Sequence, residues 1–207
     1  MNAPDECGAG ESGAGESGSA ACHELLARLA GRLPDRLLWR LREWLATGAH
    51  PAVAALLPRA LLRNRVGLTD DERDLLEAAV AGRAPRKLLD AVLTVTVPDE
   101  PDVTFHPAPD PDVAALSLLA VARGESGCVE LRQVLRGGGR HAQRVVLVRA
   151  EGPRPWVLGA TLARVLRAHG DPAPCVELLP AGDCPAYHRA ALAGSTLLWR
   201  RPPLPGT

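Results

Sequence analysis

The hydrophobic pattern of this chain changes its period once, close to residue 90, and that change restricts the class of fold. Over residues 21–90, leucines recur at the three- and four-residue spacing of a helix face, as Leu25 and Leu29 do. Beyond residue 90, short apolar runs typical of strands alternate with helical stretches. Strands that alternate with helices favour a mixed or mostly parallel sheet with helices packed on it. We therefore expect an α+β protein, with an N-terminal helical module of four or five short helices over 21–90 and a small α/β module, with a mixed sheet of about five strands, over 91–201.

Both ends of the chain are predicted to lie outside these modules. The phrase GAGES occurs twice, at 8–12 and at 13–17, and residues 1–20 contain four acidic residues and no basic one. Such a segment has little apolar surface to bury against its conformational entropy, so we expect 1–20 to be a disordered Gly/Ser/Glu tail. The proline-rich residues 202–207 are predicted to form a C-terminal tail.

The helical module contains two strong local signals. Residues 69–72, Thr-Asp-Asp-Glu, form a capping box, in which the Thr69 hydroxyl accepts from the Glu72 amide while the Glu72 carboxylate reaches back. This pattern predicts a helix that begins there and ends near Ala81. Pro58 lies inside another predicted helix, over residues 52–62, and predicts a kink or a break in it.

The α/β module is divided by its turn residues into short elements. We predict strands over 93–97, 103–106, 145–148, 175–179 and 196–199, while 129–135 is ambiguous between strand and helix. We predict helices over 110–123, 156–168 and 185–193. The three glycines at 137–139 predict a loop.

Composition excludes some functions and weakens the case for others. The chain has 24 basic and 24 acidic residues, so it lacks the basic excess that a nucleic-acid coat requires. All but one of the basic residues are arginine, and isoleucine is absent, which is typical of a GC-rich bacterial genome. A cluster of arginines is therefore weaker support for a binding site here than in an average protein.

The cysteines and the apolar runs indicate a compartment. Five cysteines are widely spaced along the chain, and no charged segment followed by an apolar stretch opens it. No run approaches the roughly 18 apolar residues that cross a bilayer. We therefore expect a cytoplasmic protein with reduced thiols and no membrane partner.

The sharpest charge feature is a stretch between residues 131 and 150 without any acidic residue. Five arginines lie in it: Arg132, Arg136, Arg140, Arg144 and Arg149. Arginine forks match phosphate oxygens, and the glycine loop at 137–139 lets backbone amides approach an anion. The stretch could therefore bind a phosphorylated small molecule or a nucleic-acid backbone, with Arg132, Arg136, Arg140 and Arg144 as anion-binding residues. The alternative is a solvated hairpin.

No catalytic or metal-binding pattern emerges from the chain. His169, Cys175, Cys184 and His188 could bind zinc in principle, but structural zinc sites usually have cysteine pairs two to four residues apart. No G-x-S-x-G elbow occurs. We therefore assign no metal, no cofactor and no catalytic residue, and an enzyme of unrecognised class stays open as an alternative.

These observations favour a non-enzymatic bacterial protein that acts through protein–protein interaction, as an adaptor, a regulatory subunit or a self-associating protein. Trp39 is the predicted interface residue. If Leu37, Leu41 and Trp44 face the core, Trp39 points elsewhere as an exposed anchor, and tryptophan is enriched at interface hot spots. The alternative is that Trp39 packs between a helix and the sheet.

Overall fold

The structure, a computed structural model, describes residues 10–98, 102–139, 142–180, 182 and 184–202. Within them the helices are α1 (Gly10–Arg28), α2 (Asp35–Ala46), α3 (His50–Asn64), α4 (Asp70–Val80), α5 (Arg86–Asp90), α6 (Val113–Gly124), α7 (Pro155–Ala168) and α8 (Ala186–Ala193). The strands are β1 (Phe105–Pro107), β2 (Cys128–Arg136), β3 (Gln143–Ala150), β4 (Cys175–Leu178) and β5 (Thr196–Arg200). The predicted α+β class, with its helical N-terminal half and five-stranded mixed sheet, is confirmed.

The capping box at the start of α4 forms as predicted and has a second role. The Thr69 hydroxyl accepts from the Glu72 amide, and the Glu72 carboxylate accepts from the Thr69 amide. The other Glu72 oxygen accepts from Arg32, in the turn after α1, at 2.6 Å. Both side chains are about 95% buried. The Glu72 carboxylate therefore caps the N-terminus of α4 and also binds α4 to the turn after α1.

Residues 10–20, which the sequence predicts to be part of a disordered tail, belong to α1. Small residues there allow α1 to lie very close to α4, since a Cβ added to Gly18 would be only 3.2 Å from the carbonyl oxygen of Ala78. The Ser19 hydroxyl bonds the Gly15 carbonyl inside the helix and is itself buried. Gly18 therefore permits close packing of α1 on α4. Residues 1–9 and 203–207 of the two predicted tails lie outside the described residues.

Two further predictions from the sequence differ from the structure. Helix α3 runs through Pro58 without a break, because Pro58 is buried between fully buried leucines whose packing holds the helix together. Residues 93–97 form no strand and make only one bridge, between Leu68 and Thr94. Their alternation does not mark a buried face, since Leu93 is 60% exposed and Val97 is 70% exposed.

The sheet is organised around β2, which resolves the ambiguity at 129–135 as a strand. β2 pairs with β3 on one side, while β1 and β5 share its other side, all three antiparallel to it. Among the described strands, only β3 and β4 are parallel to each other, and α7 connects them. The predicted helices 110–123, 156–168 and 185–193 correspond to α6, α7 and α8. Helices α6 and α7 pack on one face of the sheet and α8 on the other.

One large apolar core extends across both halves of the chain. Its buried members include Leu25, Leu41 and Leu57 from the N-terminal helices together with Val146 and Val176 from the sheet. Helix α2 contacts both α7 and β4. The helical half and the sheet therefore share one core, a question that the sequence alone leaves open.

We predict that Glu72→Ala lowers the free energy of unfolding by about 3–5 kcal/mol, because it leaves the Arg32 guanidinium buried without its carboxylate. Asp71→Ala is the matched control, since Asp71 lies in the same first turn but is exposed. Urea unfolding followed by circular dichroism measures both variants. Equal effects at the two positions would contradict the assigned role of Glu72.

Candidate functional site

Four of the five arginines of the acid-free stretch lie on the hairpin formed by β2 and β3, and three of those four already bind carboxylates. Arg132 donates to Glu130 and to the Ser195 hydroxyl. Arg136 pairs with Asp35 of α2. Glu130 lies on β2 and Asp35 lies in the N-terminal half of the chain, so neither carboxylate belongs to the loop at 137–139.

The arginine at the start of β3, near the loop end of the hairpin, also binds a carboxylate. Arg144 donates to both carboxylate oxygens of Asp112, the residue before α6, at 3.0 and 2.6 Å. This bond, together with that from the Ala115 amide, lowers the pKa of Asp112 to about 2. Arg140 lies outside the described residues, and Arg149 is exposed on β3. Anion binding by this stretch stays a prediction, and Arg132, Arg136 and Arg144 would have to exchange carboxylate partners to take part in it.

A buried polar cluster that the sequence analysis missed is centred on Glu177 in the middle of β4. Arg42 of α2 donates to both Glu177 oxygens, at 2.8 and 2.6 Å, and also to the carbonyls of Val176 and Leu26. The Glu177 side chain is only 1% exposed. A bidentate arginine–carboxylate pair of this kind fixes geometry as well as charge. It attaches α2 to the edge of the sheet.

Three more side chains extend the Glu177 cluster toward α8. His188 places Nε2 at 3.2 Å from a Glu177 oxygen, and the Cys175 thiol lies 3.5 Å from the other oxygen. The Tyr187 hydroxyl lies 3.9 Å from Cys175 Sγ and accepts from Arg136. The cluster therefore joins α2, β2, β4 and α8 through polar contacts inside an apolar core.

The protonation states of the side chains around Glu177 indicate that this cluster has a structural role. Burial alone would raise the pKa of Glu177, but Arg42 and the bond to His188 outweigh it and lower the pKa to about 2. Burial, reinforced by Glu177, raises the pKa of Cys175 well above its usual value. Burial also raises the pKa of Tyr187. A neutral thiol is a poor nucleophile, and these side chains are almost fully buried.

The four residues with zinc-binding side chains do not come together. Cys175 and His188 lie beside Glu177, whereas His169 contacts the Ser117 hydroxyl of α6 and Cys184 is only partly buried next to α8. Among the described residues, no group of three or more histidine, cysteine or acidic side chains has the geometry to hold a metal ion.

A groove of about 670 Å³ lies at the ends of the parallel strands β3 and β4. Its walls include His23, Arg28, Glu151, Trp156 and Pro180. A smaller cavity of about 20 Å³, called the chamber below, adjoins it and is lined by Trp39, Arg42, Glu43 and Trp156 among others. The crevice beyond the carboxyl ends of parallel strands is the usual ligand position in open α/β sheets.

Trp39 lies at this chamber and is partly buried, and its role as an interface residue stays a prediction. Its ring packs against the core and is covered by the Arg167 guanidinium, which sits 4.3 Å from the ring centroid. Its Nε1 atom is buried. The placement corresponds to the alternative in which Trp39 packs between a helix and the sheet.

The outer face of α6 carries two of the large apolar side chains that are exposed on the described helices. Val113 is 68% exposed and Leu116 is 55% exposed, and Ala120 continues the same stripe one turn further on. No charged residue lies between Asp112 and Arg123. The stripe of Val113, Leu116 and Ala120 is called the α6 face below.

Comparisons with known proteins give no relative, since no family model, curated protein or solved structure matches this chain. Among the described helices, none combines the length and the apolar character that crossing a bilayer requires.

We predict that Arg42→Met lowers the free energy of unfolding by about 3–5 kcal/mol, because Glu177 then stays buried without its cation. The double variant Arg42→Met with Glu177→Leu should recover part of this loss, since an apolar pair removes the unpaired charge. Arg40→Met, at an exposed position on the same helix, is the control. Thermal and urea unfolding measure these three variants, the single variant Glu177→Leu and the wild type, and a double variant as unstable as the sum of its two single changes would contradict the assignment.

The low pKa of Glu177 also predicts a pH dependence. Because its pKa falls from 4.5 to about 2 on folding, its contribution to stability is complete above about pH 5 and is lost as the pH falls toward 2. The stability difference between the wild type and Glu177→Gln should therefore narrow over that range. Urea unfolding at several pH values measures it, and a constant difference would contradict an ionised Glu177.

Proposed function

We propose that this chain is a non-enzymatic bacterial protein, located in the cytoplasm, that acts through protein–protein interaction at the α6 face. The observation that carries the proposal is that every residue of α6 from Val113 to Ala122 except Ser117 is apolar, although one side of the helix is exposed. Ala115, Leu118 and Ala122 are buried against the sheet and α7, while Val113 and Leu116 point away from the core. A helix of this composition is normally covered on all sides.

The partner we propose for the α6 face is a second copy of the chain. The apolar stripe from Val113 to Ala120 is centred between Leu116 and Ser117. Asp110, in the segment before the helix, and Arg123, in its last turn, are both exposed and lie the same number of residues from that centre along the sequence. In an antiparallel pairing about a two-fold axis, Asp110 of each copy therefore meets Arg123 of the other. In this arrangement the apolar stripes of the two copies face each other, and the opposite charges of Asp110 and Arg123 are paired as well.

The size of this face predicts a weak dimer. A 12-residue helix is about 18 Å long, and Leu197 of the neighbouring strand β5, 44% exposed, enlarges the surface only slightly. Such a contact is smaller than a standard interface, so we expect a reversible, concentration-dependent equilibrium. An equilibrium of this kind suits a regulatory or adaptor protein, whose α6 face can be exchanged between partners.

Sedimentation velocity of the reduced, full chain over a range of concentrations tests the proposal. We expect the dimer fraction of the wild type to rise with concentration, and Leu116→Glu to stay monomeric because it places a charge in the centre of the stripe. Leu93→Glu is the matched control, since Leu93 is equally exposed but lies outside α6. It should behave as the wild type does.

The charge pairing gives an independent check on the geometry. Arg123→Asp should weaken the dimer, and the exchange Asp110→Arg with Arg123→Asp should restore it. A wild type that stays monomeric at all concentrations, or a Leu116→Glu variant that dimerises as the wild type does, would overturn self-association through α6.

A further inference from the structure

The groove and the chamber together suggest a ligand site, separate from the α6 face. The groove, at about 670 Å³, has the size of sites that take small organic ligands. The chamber, at about 20 Å³, has room for one group the size of a water molecule. The two spaces share His23, Ala27, Trp156 and Leu178 in their walls. A ligand in the groove therefore meets the chamber at these four residues.

Two side chains of the chamber wall each have a buried polar atom without a hydrogen-bond partner. These atoms are Nε1 of Trp39, which is a donor, and Oε2 of Glu43, which is an acceptor. The two residues are four positions apart on α2 and so lie on one side of that helix. Most buried polar atoms in proteins have a partner, so a donor and an acceptor left open at one cavity indicate a missing group.

Helix α7 fixes both side chains in place. Arg164 donates to Glu43 Oε1 at 2.9 and 2.7 Å, which leaves Oε2 as the open oxygen. Arg167, one turn later, covers the Trp39 ring. Both side chains are therefore already held by contacts with α7, and a ligand would not have to arrange them itself.

The charged groups around the groove and the chamber restrict the chemical class of ligand that can bind there. Both terminal nitrogens of the Arg42 guanidinium already bind Glu177 and two carbonyls, and Arg28 is paired with Glu24, so neither is a strong anion site. His23 is mostly buried, and burial together with Arg42 lowers its pKa to about 4, which leaves the ring neutral at pH 7. An anionic group in the chamber would be repelled by Glu43. An ammonium group could donate to Glu43 but could not accept from Trp39.

A hydroxyl group both donates one hydrogen bond and accepts others, and so satisfies the two open atoms together. We propose that the groove binds a neutral ligand with a hydroxyl on an apolar body, and that the hydroxyl enters the chamber to donate to Glu43 and accept from Trp39. The apolar body then lies in the groove against the Trp156 ring, with Ala27 and Leu178 beside it.

The test is a set of four probes of one shape: benzyl alcohol, toluene, benzylamine and benzoate. Each is titrated into the full-length, ¹⁵N-labelled protein, and the indole N–H signals of Trp39 and Trp156 are followed by NMR. We expect benzyl alcohol to bind most tightly and to shift both signals. Toluene should bind about tenfold more weakly, because it leaves both polar atoms open. Benzoate should bind least.

Two variants separate the hydroxyl contact from simple filling of the groove. Trp39→Phe keeps a ring beneath Arg167 but removes the donor, so benzyl alcohol should bind about tenfold more weakly while toluene is unaffected. Trp44→Phe, on the same helix but not in the wall of either space, should change neither. Both titrations follow the Trp156 signal. Equal affinities for benzyl alcohol and toluene would overturn the hydroxyl assignment, and no binding by any probe would show that the chamber holds an internal water only.

Discussion

The ion pair between Arg42 and Glu177 is the interaction on which the arrangement of the two halves depends. It joins a helix of the N-terminal half to the edge strand of the sheet, between residues 135 positions apart. A carboxylate this deeply buried is tolerated only with a well-placed cation, and Arg42 supplies two parallel bonds. The pair therefore restricts α2 to one position beside β4. The apolar core around it provides most of the stabilisation, while the pair selects one geometry for that core.

The position of α2 in turn determines where the side chains that line one wall of the chamber lie. Trp39, Arg42 and Glu43 lie within two turns of this helix, so the side chain that binds the sheet also sets the places of the two open polar atoms. Helix α7 secures the same residues from the other side through Arg164 and Arg167. The proposed ligand site is thus formed by side chains that contacts between α2 and α7 hold in place, whereas the α6 face lies on a different helix and can be occupied independently.

The sequence predicts elements better than it predicts the site, for physical reasons. The capping box at Thr69 and the helix-starting Asp112 are local signals, and both hold in the structure. The glycine-rich start of α1 misleads because close approach to α4 is a tertiary effect. Glu177 is hidden in a short strand whose other residues are apolar, and its cation lies far away in the sequence. Long-range pairing of this kind has no local signature, so the buried cluster could not be found from the chain alone.

Native-state hydrogen exchange of the full chain tests most directly whether the Arg42–Glu177 pair makes the two halves one cooperative unit. We predict that the slowest amides of α3 and α4 and those of β3 and β4 exchange through the same global opening, with equal free energies. In that case denaturant should accelerate both groups together. A helical half that opens at much lower free energy, while the strands stay protected, would contradict the account.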